Sequence, residues 1–206
     1  MLIKLYEENP SPKHVRTIVD CLRNGGVIIY PTDTVYTFGC DIYKHKAVER
    51  IARLKGLDQK KNNFSIVCHD LSNLSDYTKP IENHIFRVMK RCFPGPYTFI
   101  LKANSRVPKL FQNKKKTVGI RVPASNIVRA IVEELGNPIL STSLHHQDEV
   151  LEYITDPELI YDIYKNSVDI VIDGGAGRNK ASTVVNFSDD NMEIIREGLG
   201  DVNLIY

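Results

Sequence analysis

Apolar residues along this chain switch repeatedly between two spacings. Val15, Ile18, Val19 and Leu22 lie on one face of a 3.6-residue helix, which Ser11-Pro12 starts and Asn24-Gly25-Gly26 stops. Ala47, Val48, Ile51 and Leu54 predict a second amphipathic helix ending near Lys55-Gly56. Helical patterns follow at Asp70–Tyr77 and at Ile81–Arg91, the second with Ile85, Val88 and Met89 inward. Ser125 caps a helix carrying Ile127, Val128, Ile131, Val132 and Leu135, which Gly136 ends, and Asp156-Pro157 opens another. Strand patterns occupy Val27–Tyr30, Ser65–Cys68, Tyr97–Leu101, Thr117–Val122, Pro138–Leu140 leading into Ser141-Thr142-Ser143, and Val168–Ile172. Thr183–Phe187 and Glu193–Ile195 form a final strand pair around the turn residues Ser188–Asn191. Pro94-Gly95-Pro96 is a hard break, Asn104–Lys116 a polar loop with some local helix, and Leu144–Tyr153 has no clear period and reads as mobile. Helices and strands intermix without strict alternation, and no repeat or linker divides them. The expectation is one α/β domain over residues 1–206, with a twisted open mixed sheet and flanking helices.

Composition adds boundaries. At 206 residues, 42% hydrophobic and 25% charged, the chain can bury a sizeable core without metal or disulfide help. A net charge of +2 does not by itself call for a polyanionic partner, and Lys60-Lys61, Arg87/Lys90/Arg91 and Lys114-Lys115-Lys116 read as solvated faces. Cys21, Cys40, Cys68 and Cys92 are widely spaced and read as small core residues in a reducing compartment. Met1–Glu8 lacks the pattern of a signal peptide, and no apolar run approaches the roughly 20 residues that cross a bilayer. A cytoplasmic protein without membrane contact is expected.

Several chemistries lack their signatures. His145 and His146 are adjacent and on a strand would face opposite ways, Asp70 beside His69 reads as a helix cap, and no ligand spacing supports a metal site. There is no Gly-x-Ser-x-Gly elbow, no cysteine in a recognisable catalytic frame, and no phosphate-binding fingerprint, because Gly25-Gly26 precedes a strand. No catalytic residue is assigned. What remains is a set of strand ends with polar tips: Pro31–Tyr36, Lys55-Gly56, Thr117–Arg121, Ser141-Thr142-Ser143, Ser182-Thr183 and Arg196-Glu197-Gly198. Arg121 lies in an otherwise apolar strand and Arg196 follows Ile194-Ile195. Each guanidinium needs an anion, either a protein carboxylate such as Asp33 or Glu197, or a ligand carboxylate or phosphate.

The ordered set Gly25–Tyr36, Arg53-Leu54-Lys55-Gly56, Phe93–Thr98, Thr117–Pro123, Thr142-Ser143, Ile172–Gly175, Ser182–Val185 and Ile195–Gly198 resembles the YrdC/Sua5/YciO family from about Cys21 to Gly200. The resemblance implies an α/β sheet around a concave, positively charged cavity. It also implies synthesis of L-threonylcarbamoyladenylate from L-threonine, bicarbonate and ATP with release of pyrophosphate, for N6-threonylcarbamoylation of adenosine in tRNA. Magnesium would accompany ATP as substrate, with no tightly bound cofactor, and structured RNA or tRNA is a further partner. Carried over by resemblance, Thr34 and Ser182 hydrogen-bond the threonine and Arg121 holds its carboxylate. Lys55, Asn62, Thr117, Ser143 and Arg196 line the ATP side.

Departures from the synthase pattern resemble the YciO branch. Lys-x-Arg becomes Lys55-Gly56-Leu57, Ser-Ala-Asn becomes Ser143-Leu144-His145, and Tyr-Gly-Leu becomes Tyr36-Thr37-Phe38. That branch has no C-terminal Sua5 domain, and none is expected here. An arginine missing from a polyanion site removes charge where a transition state needs it, so the activity implied is weak or altered. The alternative is a non-catalytic module binding double-stranded RNA or tRNA on the same basic concavity.

Overall fold

One sheet and two helical layers account for the two periods. The computed structural model describes residues 1–56, 64–107, 116–144, 154–189 and 192–206. The strands are β1 (Leu2–Lys4), β2 (Ile28–Tyr30), β3 (Thr37–Asp41), β4 (Ser65–Val67), β5 (Tyr97–Lys102), β6 (Thr117–Arg121), β7 (Ile139–Ser143), β8 (Ile170–Asp173), β9 (Thr183–Asn186) and β10 (Glu193–Arg196). They pair in the order β1-β8-β2-β3-β7-β4-β6-β5-β9-β10. Pairs β1/β8, β8/β2, β4/β6 and β5/β9 are parallel and the others antiparallel, the mixed open sheet expected. The helices are α1 (Pro12–Arg23), α2 (His45–Leu54), α3 (Asn83–Cys92), α4 (Asn126–Leu135) and α5 (Pro157–Tyr164).

Side-chain alternation divides the core by faces. Ile29, Phe38, Ile66, Leu140 and Val171 pack with α2, α3 and α5 on one face. Their neighbours Ile28, Tyr30, Val67, Ile139, Ile170 and Ile172 pack with α1 and α4 on the other. This second cluster draws its strand residues from β1, β8, β2, β7 and β4. Across β6, β5 and β9 the same face carries Thr117, Gly119, Arg121, Thr98, Ser182 and Asn186 instead. The helices therefore cover half of this face with hydrocarbon, and the other half is mostly polar, Ile100 and Val184 apart.

Helix ends follow the sequence signals. Ser125 accepts a bond from the Val128 amide at 3.3 Å and Asp156 one from Glu158 at 2.9 Å. Gly25 and Gly136 take φ of +81°, which only glycine adopts without strain. The expected helix at Asp70–Tyr77 shrinks to one 3-10 turn, Leu74–Asp76. Asp70 accepts the Ser72 amide at 2.8 Å, so it closes a local turn and caps no α-helix. Two strands escape the periodicity: β1, which is short, and β3, whose Thr-Phe-Gly-Cys-Asp sequence has weak strand preference. The expected loop at Asn104–Lys116 and mobile stretch at Leu144–Tyr153 lie largely outside the described residues. All four cysteines are free, three of them buried, and burial pushes the Cys68 thiol up to about 12 and that of Cys21 to about 11.

Gly39 in β3 is required by its neighbour. A Cβ there would lie 2.5 Å from Cε1 of Tyr30, whose ring is fully buried and cannot yield. Gly39→Ala is expected to destabilise the fold by about 2 kcal/mol in chemical denaturation.

Candidate functional site

Register builds the floor of the site. Gly39 pairs with Ser141, Ser141 with Ser65, and Ser65 with Gly119, so four adjacent strands contribute one cross-strand row with no side chain longer than serine. A Cβ on Gly119 would fall 2.5 Å from Ser65 Oγ. The row is narrow, and the Tyr30 ring and the Ser65 side chain fill the space over its two glycines.

One wall is the loop between β2 and β3. Pro31 ends β2, and Thr32 Oγ1 accepts the Thr34 amide at 3.1 Å while donating to Val35 O at 2.8 Å. With the Thr32 proton used, the Thr34 hydroxyl donates to Thr32 across 3.0 Å and accepts from Arg121 Nη2 at 3.0 Å. Asp33 reaches the same nitrogen at 3.4 Å, and its other oxygen accepts the Ala124 amide at 3.0 Å. Arg121 is 5% exposed, and its Nε–H meets no acceptor among the described residues. Of the partners proposed for this guanidinium, the protein carboxylate is Asp33, which neutralises it in part, and one buried N–H stays unpaired among the described residues.

The opposite wall comes from β5, β9 and β10. Thr98 and Ser182 share a hydrogen bond at 2.8 Å, and Arg196 donates to Ser182 O through Nε and Nη2 at 3.0 and 2.9 Å and to its hydroxyl at 3.3 Å. Thr98 lies one residue before the Phe99–Ile120 pair of β5 and β6, on the face that carries Gly119. Its place in the alternation of Tyr97–Leu101 was the available signal for it.

Lys55 arrives from α2 on the far face. Its Nζ donates to Ser143 O at 2.6 Å and Thr142 Oγ1 at 3.2 Å. Burial lowers its pKa from an ordinary 10.5 to about 8. Thr117 is buried at the start of β6 opposite Lys102, and Asn62, Leu57 and His145 lie outside the described residues. The structure thus joins Thr34 to Arg121, Ser182 to Arg196, and Lys55 to Ser143, with the first two pairs on the walls of one polar face.

Residues without an obvious chemical signal hold these walls in place. Tyr36 donates to Gly175 O at 2.7 Å and accepts the Gly174 amide at 3.2 Å. The Arg178 amide donates to Thr34 O at 3.0 Å. A Cβ on Gly177 would lie 2.7 Å from the Tyr36 ring, so the glycine turn after β8 and the Thr34 loop fit as one unit. Among the described residues no group of three His, Cys, Asp or Glu side chains could hold a metal ion, and no helix is long and apolar enough to cross a membrane.

Comparisons with known proteins agree on a single family. The model described as Sua5_yciO_yrdC, telomere recombination, matches residues 20–198. Escherichia coli "Uncharacterized protein YciO" is 44% identical over 200 residues, covering 96% of this chain and 95% of that protein. Its crystal structure superposes with a TM-score of 0.93 at 42% identity, over 100% of this chain and 99% of that one. A threonylcarbamoyl-AMP synthase of Coxiella burnetii is 28% identical over 171 residues, 83% of this chain and 90% of the relative. The structure of P. abyssi Sua5 complexed with L-threonine matches at a TM-score of 0.88 and 26% identity, covering 96% of this chain and 57% of Sua5.

The Lys55 charge is buried without a carboxylate partner among the described residues. Between pH 8 and 10.5 the unfolded chain holds this proton and the folded chain does not, so its penalty is complete below pH 8 and fades as pH rises toward 10.5. Lys55→Met is therefore expected to be about 1–3 kcal/mol more stable than wild type at pH 7, with the gap closing at high pH in paired denaturant titrations.

Proposed function

The chain belongs to the Sua5/YciO/YrdC family, and on that premise we propose that its polar sheet face binds an α-amino acid of the threonine type with ATP and forms an L-threonylcarbamoyladenylate-type product. The observation that carries this reading is Arg121. Its guanidinium is buried and fixed by Thr34 at one nitrogen, and an open Nε–H remains for a planar carboxylate. Thr34 keeps a lone pair for the amino group, and Ser182 offers a hydroxyl on the opposite wall. Lys55, Thr117, Ser143 and Arg196, with Asn62 by resemblance, would serve the nucleotide, where cations suit phosphate oxygens. The distant relatedness to threonylcarbamoyl-AMP synthases and to a Sua5 crystallised with L-threonine supports the same assignment.

In this reading the amino group attacks bicarbonate to give a carbamate and water. A carbamate oxygen then attacks the α-phosphorus of ATP and pyrophosphate leaves. Arg121 and the hydroxyls orient the amino acid, while Lys55 and Arg196 compensate phosphate charge. Magnesium would ride on the phosphate oxygens, since Asp33 already serves Arg121 and Ala124. A cytoplasmic reaction fits these proposed substrates, and its product would pass to tRNA modification.

Purified protein given L-threonine, bicarbonate, Mg-ATP and pyrophosphatase is expected to yield the adenylate above a no-enzyme blank, by mass spectrometry. Arg121→Lys should weaken threonine binding roughly 100-fold by calorimetry, because a point cation cannot replace the fork. Leu57→Arg with His145→Asn should raise the rate. Absence of both product and threonine binding would overturn the reading; RNA binding that persisted and weakened steeply with salt would then favour the binding module.

A further inference from the structure

The link between β6 and α4 runs through Val122-Pro123-Ala124-Ser125. Main-chain bonds hold its two ends: Val122 O accepts the Gly95 amide at 2.9 Å, and Ser125 O accepts the Arg129 amide at 3.0 Å. Between them two carboxylates take over. Asp33 accepts the Ala124 amide at 3.0 Å from the side of the Thr34 loop. From the amino-terminal segment, Glu7 accepts the Ser125 hydroxyl at 3.0 Å through Oε2 and the Asn126 amide through Oε1. The Glu7 carbonyl also accepts Asn126 Nδ2 at 3.0 Å. Both Glu7 oxygens are thus used on consecutive residues at the positive end of α4, where unpaired amides favour a carboxylate. Glu7 pairs with no lysine or arginine among the described residues, so these donors compensate its charge.

Resting on the function proposed above, we infer that Glu7 is a positioning residue for the Arg121 guanidinium: it clamps the start of α4 so that the Ala124 amide fixes Asp33, and Asp33 fixes Arg121 for an amino-acid carboxylate. The bonds form one series, from Glu7 to Ser125 and Asn126, from the adjoining Ala124 to Asp33, and from Asp33 to Arg121 Nη2 at 3.4 Å. Asp33 is the carboxylate that reaches this guanidinium among the described residues, and the Ala124 amide holds its second oxygen. A shift of Ala124 therefore turns the carboxylate under the arginine. Pro123 has a fixed φ and also restricts Val122, so the link passes a displacement at Ser125 on to Ala124. The segment that carries Glu7 is anchored beside the same loop. The Leu5 amide donates to Asp173 O at 2.9 Å, and a Cβ on the next residue, Gly174, would lie 2.6 Å from Pro31 and 3.0 Å from Ile127 of α4. The amino-terminal segment, the glycine turn, the Thr34 loop and α4 thus close on one another with little slack. Glu7 precedes the motif set, which starts near Cys21, so motif order did not mark it.

The test compares wild type, Glu7→Ala and Glu7→Gln, with Asp156→Ala as a control that removes the cap of α5, away from the site. In the ligand-free protein, amide exchange and the Arg121 Nε–H resonance are read by NMR. Glu7→Ala should speed Ala124 exchange about tenfold and move the Arg121 resonance, while Ile131 and Val132 deep in α4 keep their protection. Glu7→Gln keeps one acceptor and should fall between Glu7→Ala and wild type; it carries the same readouts if Glu7→Ala fails to fold. Asp156→Ala should lower the melting temperature and leave both site signals in place. Calorimetry should show threonine affinity falling roughly fivefold in Glu7→Ala, with no further fall when the same change is made in Asp33→Asn, where the series is already cut. Unchanged Ala124 exchange and Arg121 resonance in a folded Glu7 variant overturn the inference. So does loss of protection spread evenly along α4, which would make Glu7 a helix cap and nothing more, or a threonine effect that adds in full to that of Asp33→Asn. Should wild type take up no threonine, the amino-acid reading fails, and the two ligand-free signals still decide whether Glu7 positions Arg121.

Discussion

A guanidinium taken almost wholly out of water governs the architecture of this face. Arg121 emerges from an otherwise apolar strand, and burying such a cation costs several kcal/mol unless neighbours compensate. The protein supplies one hydroxyl, from Thr34, and one distant carboxylate, from Asp33. Each of these is itself held: Thr34 by Thr32, Asp33 by the Ala124 amide, and the whole loop by Tyr36 against the glycine turn after β8. A network of this kind specifies one geometry, since a misplaced member would leave its partner buried and unpaired.

The compensation is incomplete, and the shortfall has a pattern. Orphan donors cost about 1–3 kcal/mol each, and a desolvated lysine adds to the deficit. Arg121 lies at the polar end of the row of glycine and serine residues, whereas Tyr30 lies under α1 and α4 and Lys55 on the opposite face. The hydrocarbon face opposite, where Phe99 packs within 5.1 and 5.6 Å of the Phe93 and Phe187 rings, provides stability that the polar face draws down. Such a division is expected where a site is held ready for a ligand and the fold tolerates the expense.

Much of the fold was readable in the sequence. Helices α1 to α5 announce themselves by period and by caps such as Ser125 and Asp156, and the apolar strands by composition. Strand β3 did not, because Gly39 makes room for the Tyr30 ring and its Thr-Phe-Gly-Cys-Asp sequence has weak strand preference. Asp70 misled because a carboxylate can close a local turn as well as cap a helix. For the site, motif order brought Thr34, Arg121, Ser182 and Arg196 into view, and the coordinates join them pairwise. It could not show that Thr98 bonds Ser182, or that the Tyr30 ring crosses Gly39, since both depend on register between strands.

Strand order has a temporal side. β8 inserts between β1 and β2, tying the Met1 amine to the Asp169 carbonyl across 168 positions, and β9 closes on β5 to bring Ser182 to Thr98 across 84. Contacts of such range form late, after most of the chain-closure entropy has been overcome. During synthesis, a chain halted before residue 170 therefore lacks both the strand that seals its amino-terminal half and the glycine turn that braces the Thr34 loop. The polar face is therefore unfinished until the residues from β8 to β10 have been made.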